Sequence, residues 1–537
     1  MNVGTAWHRA SIDDQYDCIV VGSGMGGLAT AACLSKAGQK VLVLEKHYTA
    51  GGFTHTFQRK GYEWDVGVHY IGEVHRKHSV MRRVFDYVSD GALQWSEMPP
   101  VYDRIYLGPD AYDYVAGPQQ FKERMVSYFP KEERAIEQYV DMIRQVSRVS
   151  SGYFMEKTLP IWLSKILYNK LTRDYLKLAK RSTYDVLRSM TQDETLIAVL
   201  TGQWGDYGLP PKASSFAMHA TVAKHFLAGG NYPVGGSSSI ARTIEPVIQK
   251  SGGQVITNAG VEKVLIKDGR ACGVLLENGR EIRAKRVVSA IGISNSYSNL
   301  IESKSQEDNP YTYKEDCVSP SFSHVCLYIG IKANGAELGF DNANLWVYRD
   351  RDHDGNVQAF KNGTSKEFPI VYISFPSSKD PDWETNYPGR STIEIVAPAP
   401  YEWFEPWKEK NWQKRGAEYN ELKSSITERL LDALYEKLPQ LKGKVDYTEL
   451  STPLSTEHFC SYSRGEIYGL DHTPERFEQR WLRARPSIKN LYFTGQDLVT
   501  CGVGGALSAG VLTSIAMLGP RKGMPLLQLM SPQKSKS

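Results

Sequence analysis

Three glycines and an acid stand at a spacing that can do chemistry. In YDCIVVGSGMGGLATAACLSKAGQKVLVLEK (16–46), Gly22, Gly24 and Gly27 form a G-x-G-x-x-G turn, and Glu45 follows roughly 20 residues later. The first glycine allows a tight turn, the second lets backbone approach a pyrophosphate, and the third lets helix and strand pack closely. Free N–H groups at the helix N-terminus then point at the phosphates. An acid at position 45 suits adenosine ribose hydroxyls and argues against a 2′-phosphate. A second set of residues could move protons. His69 and Tyr70 follow the turn at Asp65-x-Gly67, and Glu466 and Tyr468 lie in RGEIYG. Histidine titrates near neutrality without perturbation, which fits it for acid/base work.

The elements that must hold the glycines are legible. CIVV is a short apolar, β-branched run and predicts a buried strand. GLATAACLSKAG predicts a helix closed at Gly38, and KVLVLE a second strand ending in Glu45. A lone glycine motif is weak. Strand, turn, helix, strand and acid in that order specify a dinucleotide site.

Two further blocks separate the possible dinucleotides. KHYTAGGFTHTFQRKGYEWDVGVHYIG carries Gly51-Gly52, Thr56 and Asp65, and NLYFTGQDLVTCGVGGALSAGVLTSIAML lies near the C-terminal end. Together with the first block, they resemble the FAD-binding superfamily of amine oxidases and phytoene desaturases. The likeness is closest to its retinol saturase and carotenoid isomerase branch, in WDVGVHYIG, SFAMHATVAKHF, YPVGGSSSIARTIEPVIQKSGGQV, RGEIYGLDH and NLYFTGQDLVTCGVGGAL. It runs from Tyr16 to Leu518 and is weakest over 122–190 and 336–410, where the substrate is expected to be chosen.

The resemblance implies FAD. It places Gly51, Gly52, Thr56 and Asp65 around the phosphates and ribityl chain, and the backbone of Val261 on adenine. It places Gly495 and Asp497 on the ribityl or phosphate region. Gly504, Gly505 and Ala506 begin a helix whose N-terminus faces the flavin, where it would favour negative charge on the reduced ring. The implied fold is α/β, a discontinuous Rossmann-type FAD-binding domain (1–115, 236–300 and 461–537) plus a mixed-sheet and helical substrate domain (116–235 and 301–460). GGQVITNAGVEKVLIKDGRACGVLLENGREIRAKRVVSAIG predicts a small β-meander within the first.

The implied activity is saturation or desaturation of carbon–carbon double bonds in a long apolar lipid: a retinoid, carotenoid or unsaturated acyl chain. Flavin-assisted, non-redox cis/trans isomerisation of a polyene is a second reading. A lipid-binding carrier of the escort-protein type is a third, against which the complete glycine and acid set argues. Amine oxidation would require an aromatic cage that the sequence does not display. A second strand–GxGxxG–helix unit is lacking, so no dedicated nicotinamide domain is expected, and the electron partner stays open.

The net charge of +4 gives no sign of nucleic acid. Seven singly scattered cysteines suggest neither zinc nor a dithiol, and their odd number favours a reducing compartment. Cys501 reads as plain packing rather than covalent flavin attachment. His75 and His78 read as a surface basic turn, and no metal is expected. The N-terminus lacks an apolar signal region, and no run of about 18 uninterrupted apolar residues predicts a spanning helix. LPIWLSKILYNKLTRDYLKLAKR (159–181) combines an apolar stripe with six lysines and arginines against one acid, the pattern of an interfacial helix. The expected location is therefore cytoplasmic, peripheral on the membrane. The tail SPQKSKS is expected to be disordered.

Overall fold

The computed structural model describes residues 2–67, 69–302 and 309–531; the expectation for the tail beyond 531 lies outside them. Strands Cys18–Val21 and Val41–Leu44 are buried at every position and pair in parallel, Cys18 opposite Val41 and Val21 opposite Leu44. Continuous apolar runs are what a sheet covered on both faces requires. Six parallel strands complete this sheet in the order Thr5–Ala6, Gln254–Thr257, Val41–Leu44, Cys18–Val21, Val287–Ser289 and Leu491–Phe493. Its central pair is Val41–Leu44 and Cys18–Val21, and its two edges are Thr5–Ala6 and Leu491–Phe493, from opposite ends of the sequence. The expected meander forms beside it from Val261–Lys267, Arg270–Leu276 and Glu281–Ala284.

The helix after the glycine turn, Met25–Lys36, is buried from Met25 through Ser35. It crosses the C-terminal helix Gly502–Lys522 at close range. A Cβ on Gly26 would lie 2.7 Å from Gly495 Cα, and one on Gly510 only 2.5 Å from Ala29 Cβ. By length and composition, Gly502–Lys522 is the one helix among the described residues able to cross a membrane, and 61% of its apolar window is buried in the fold. This departs from the expectation of no such helix. Its glycines, serines and threonine interrupt the apolar run and hide it from a count of uninterrupted residues.

The second sheet has seven strands, ordered Asp110–Val115, Val101–Leu107, Asn344–Tyr348, Val371–Ser374, Ser391–Pro398, His324–Ile331 and Val445–Ser451. All pairs are antiparallel except Val101–Leu107 with Asn344–Tyr348. The expected boundary near residue 115 groups the first two strands with the nucleotide sheet; their pairing puts them in the second. Ile329, Ile393, Ile395 and Leu430 are fully buried between this sheet and helix Ala417–Lys437. Each such side chain contributes about 1.5–3 kcal/mol of burial. A helical group spanning 118–226 packs beside the same sheet, with Ile105, Trp346 and Tyr348 in the shared core. Within it, helices Glu133–Glu156 and Ile161–Ala179 cross so closely that a Cβ on Gly152 would lie 2.7 Å from the Leu171 carbonyl.

Candidate active site

A cavity of about 1140 Å³ runs from the glycine turn to the second sheet. At one end the walls are main chain. Gly22 has φ +94°, which opens the turn, and a Cβ on Gly27 would sit 2.2 Å from the Gly22 carbonyl oxygen. A Cβ on Gly24, the residue preceding the helix, would meet nothing within 4 Å: this glycine faces open space. Ser23 donates to Glu45 Oε2 from its N–H (2.9 Å) and its hydroxyl (2.5 Å), and the His47 N–H donates to Oε1 (2.8 Å). Gly52 packs against Gly24, where a Cβ would come 2.9 Å from Gly24 Cα. Val261, Gly495, Gly504, Gly505 and Ala506 also line the cavity.

The remaining sequence candidates sit behind this lining. Thr56 pairs with Asp65 across a two-stranded ribbon. Asp65 is buried; its carboxylate accepts from the Ser237 N–H (2.9 Å) and the Tyr232 hydroxyl. Burial and the neighbouring Glu394 push its carboxyl up to about 7. Asp497 accepts from the N–H groups of Ile293 (2.8 Å) and Leu470 (3.0 Å), fixing the two loops that flank the Gly495 turn. Glu466 is raised to about 7 by burial and accepts from the Arg464 N–H (2.9 Å). The Arg464 guanidinium pairs with Glu402, not with Glu466.

The other end of the cavity is walled by side chains. His69, Tyr70, Asp206, Trp346, Tyr372 and Tyr468 line it. Tyr70 stacks on Phe226 with ring centroids 4.1 Å apart. Its hydroxyl lies 2.9 Å from Asp103 Oδ2 and 3.1 Å from Asp206 Oδ2. Asp103 is fully buried and also accepts from Asn344 Nδ2 (2.9 Å) and Gln203 Nε2 (2.7 Å); burial raises its carboxyl to about 6. Lys379 donates to Asn344 Oδ1, to Ser374 Oγ (2.7 Å) and to the His69 carbonyl (3.2 Å), and burial lowers it to about 7. His69 Nδ1 lies 2.8 Å from Glu394 Oε2, close but poorly aligned for a hydrogen bond. Burial lowers His69 to about 4 and raises Glu394, so both favour the uncharged form.

Of this wall, sequence reasoning found His69, Tyr70 and Tyr468. It missed Asp103, Asp206, Lys379 and Glu394. A signal existed for two of them: VYDRIYL and STIEIVAP each hold an acid inside an apolar strand, and such an acid is buried only with partners. Cys501 precedes the C-terminal helix with its thiol 3.4 Å from the Asp206 carbonyl, and burial pushes that thiol up, as an unreactive packing residue requires.

A backbone cradle for a pyrophosphate on a parallel sheet, opening into a large cavity, defines a dinucleotide-dependent oxidoreductase. The open face of Gly24 and the acid at Glu45 fit the phosphates and ribose of such a cofactor. Residues 25–310 match the family described as flavin containing amine oxidoreductase. The chain is 37% identical over 523 residues to the all-trans-retinol 13,14-reductase of Danio rerio, covering 94% of this chain and 86% of that protein. It is 26% identical over 538 residues to the chloroplastic prolycopene isomerase 1 of an Oncidium hybrid cultivar, covering 96% and 86%. Among solved structures, putrescine oxidase bound to putrescine matches with a TM-score of 0.60 at 16% identity, over 94% of this chain and 99% of that one. The chain belongs to the flavin containing amine oxidoreductase family, and its cofactor is FAD.

Proposed function

We propose that this chain is an FAD-dependent saturase that adds two hydrogens across a carbon–carbon double bond of a retinoid-type polyene. The observation that carries the reading is the 36–37% identity, along almost the whole chain, to proteins named all-trans-retinol 13,14-reductase. A large cavity with aromatic walls is consistent with a long apolar substrate.

The N–H groups at the start of Met25–Lys36 and the turn at Gly22 and Gly24 hold the pyrophosphate, with Gly51 and Gly52 closing over it. Glu45 takes the ribose hydroxyls, and the backbone of Val261 meets adenine. Gly495, Gly504, Gly505 and Ala506 form the floor under the flavin. Thr56, Asp65 and Asp497 act from behind, fixing the segments that carry these contacts. FAD, when bound and reduced, supplies hydride to carbon. His69, Tyr70 and Tyr468 shape the substrate end, and the buried, uncharged state of His69 suits it to line an apolar chain. Glu466, set behind the lining, acts on the site through its loop.

The chain would draw its substrate from a lipid surface. Trp162 and Ile166 are 65% and 70% exposed, one turn apart, on a helix that also presents Lys165 and Lys170 to solvent. Ser147, Ser151 and Phe154, on the helix packed against it, line the cavity together with Leu527 and Met530. This arrangement supports peripheral contact through 159–181, with the cavity reached from the same side.

The test is mass-resolved analysis of all-trans-retinol incubated with the dithionite-reduced holoenzyme, beside a Glu45→Gln control. A flavin-dependent product two hydrogens heavier is expected. A product of unchanged mass and altered retention would replace the saturase with an isomerase, and no product from any polyene would sink the reading.

A further inference from the structure

The hydrogen bonds around Tyr70 leave one proton to be placed. A phenol has a single hydrogen to donate, yet the Tyr70 oxygen lies within hydrogen-bond distance of two carboxyl groups, Asp103 and Asp206. Two ionised carboxylates about one hydroxyl would repel, and one would lack a donor. Asp103 receives two further N–H donors, from Gln203 and Asn344. Among the described residues, no other hydrogen bond reaches the Asp206 carboxyl. The consistent arrangement has Tyr70 donating to an ionised Asp103, while a protonated Asp206 donates to the Tyr70 oxygen.

Asp206 is also the member of this group placed for chemistry. It lines the cavity, whereas Asp103 is fully buried behind it. Its carbonyl touches the thiol of Cys501, the residue preceding the C-terminal helix that floors the cofactor end. The ionisable groups facing it are Asp103, Tyr70, Tyr102, Tyr207, Tyr348, Tyr372, Tyr468 and Cys501, none of them cationic. Lys379 lies one shell further out, joined through Asn344 to Asp103. Burial, reinforced by Asp103, accordingly pushes the Asp206 carboxyl well above the usual carboxylate range.

We infer that Asp206 is the acid that protonates the substrate carbon, with Tyr70 and Asp103 as positioning residues that hold its carboxyl in place. The inference rests on the saturase reading above. In the step, the alkene π pair forms the new C–H bond at the carbon facing Asp206. The carboxyl O–H breaks and leaves its pair on oxygen. The neighbouring carbon gains a hydride with its own electron pair from the reduced cofactor. The substrate thus takes up two electrons, one hydride and one proton. Asp206 is left as a carboxylate and recovers its proton from water that enters the cavity once the product has left. The two electrons come from whichever two-electron donor reduces the flavin, dithionite in the test.

The test compares wild type with Asp206→Asn, both loaded with FAD and reduced by dithionite, in one turnover of all-trans-retinol. Asn keeps the shape but cannot give up a proton. Turnover is expected to fall by roughly 100- to 10,000-fold, the range of a lost general acid. FAD stoichiometry and the rate of reduction by dithionite should stay at wild-type values. Infrared difference spectra at neutral pH supply a readout independent of turnover: wild type minus Asp206→Asn should show a protonated-carboxyl band, shifted in D₂O, above the absorption that Glu394, Asp65 and Glu466 contribute to both. Turnover by Asp206→Asn within threefold of wild type, or an infrared band unchanged by the substitution, would overturn the role of Asp206 alone. Failure of wild type itself to reduce any polyene would bring down the saturase reading, and this inference with it.

Discussion

The two ends of the cavity are built on opposite principles. At the cofactor end the working atoms are main-chain N–H groups and the absence of side chains, supplied mostly by residues 22–52 and 495–506. At the substrate end they are side chains brought from residues 69–70, 103, 203–206, 344, 374–379 and 394, all tied into one buried network. A backbone site needs little but the right conformation, so it tolerates few residue types and holds one ligand. A side-chain site can be rewired one residue at a time, which suits it to carry the chemistry that differs between relatives on one fold.

Substitutions at two glycines give the largest expected effect and test what the cradle is made of. Gly27→Val would drive a side chain into the Gly22 carbonyl and should leave no folded apoprotein. Gly24→Val enters open space, so the apoprotein should unfold within about 1 kcal/mol of wild type yet retain no flavin. Flavin absorbance and apoprotein melting separate the two. Equal loss of apoprotein stability in both would show that Gly24 also packs.

Asn344→Leu tests the other end. It strips Asp103 and Lys379 of a shared partner and should cost roughly 1–3 kcal/mol of stability while leaving FAD stoichiometry unchanged. Denaturant titration and flavin content check both halves. Loss of flavin would mean that the two ends are mechanically one.

The ends should also respond to pH with opposite sign. His55, in the cradle, is held by burial at about 4 against an ordinary 6.5. Below 6.5 the unfolded chain takes a proton that the native state refuses, so wild type should lose stability relative to His55→Gln as pH falls toward 4. Asp103 is raised from 3.8 to about 6. Between those values the native state keeps a proton that the unfolded chain has lost, so wild type should lose stability relative to Asp103→Asn as pH rises. Each slope should be about 1.4 kcal/mol per pH unit. Denaturation midpoints across pH 4–7 check it. Slopes of one sign would break the comparison.

The smallest effect lies outside both ends. Trp162→Ser with Ile166→Ser should weaken partition onto anionic vesicles several-fold, from the loss of buried apolar area, with flavin content unchanged. Vesicle sedimentation checks it, and identical partition would remove the lipid contact from 159–181.

The sequence was informative where constraint is local. Gly22, Gly24, Gly27 and Glu45 sit within one strand–helix–strand unit, so spacing alone places them. The runs HVCLYIGI and STIEIVAP form neighbouring strands because continuous apolar residues leave a sheet few alternatives. Gly26 escaped notice because its demand comes from Gly495, far along the chain, rather than from the turn it belongs to. The wall escaped for the same reason on a larger scale. Asp103 and Glu394 are strand acids whose partners come from other elements, and no local pattern tells whether such an acid faces solvent or a buried phenol. Nor does RGEIYG tell which acid its arginine meets: the Arg464 guanidinium goes to Glu402, 62 positions earlier, and not to Glu466 two residues on.

The close crossing of the first and last long helices has a consequence for how the protein is made. Thr30 and Thr494 touch across 464 positions of chain, and the strand at 18–21 waits for partners at 287–289 and, beyond them, 491–493. A nascent polypeptide leaving the ribosome cannot close its flavin cradle until residues 491–506 emerge. Until then it carries an unfinished apolar sheet. Termination anywhere before that strand should yield colourless, protease-sensitive product, so the yellow of bound flavin reports that synthesis has passed it.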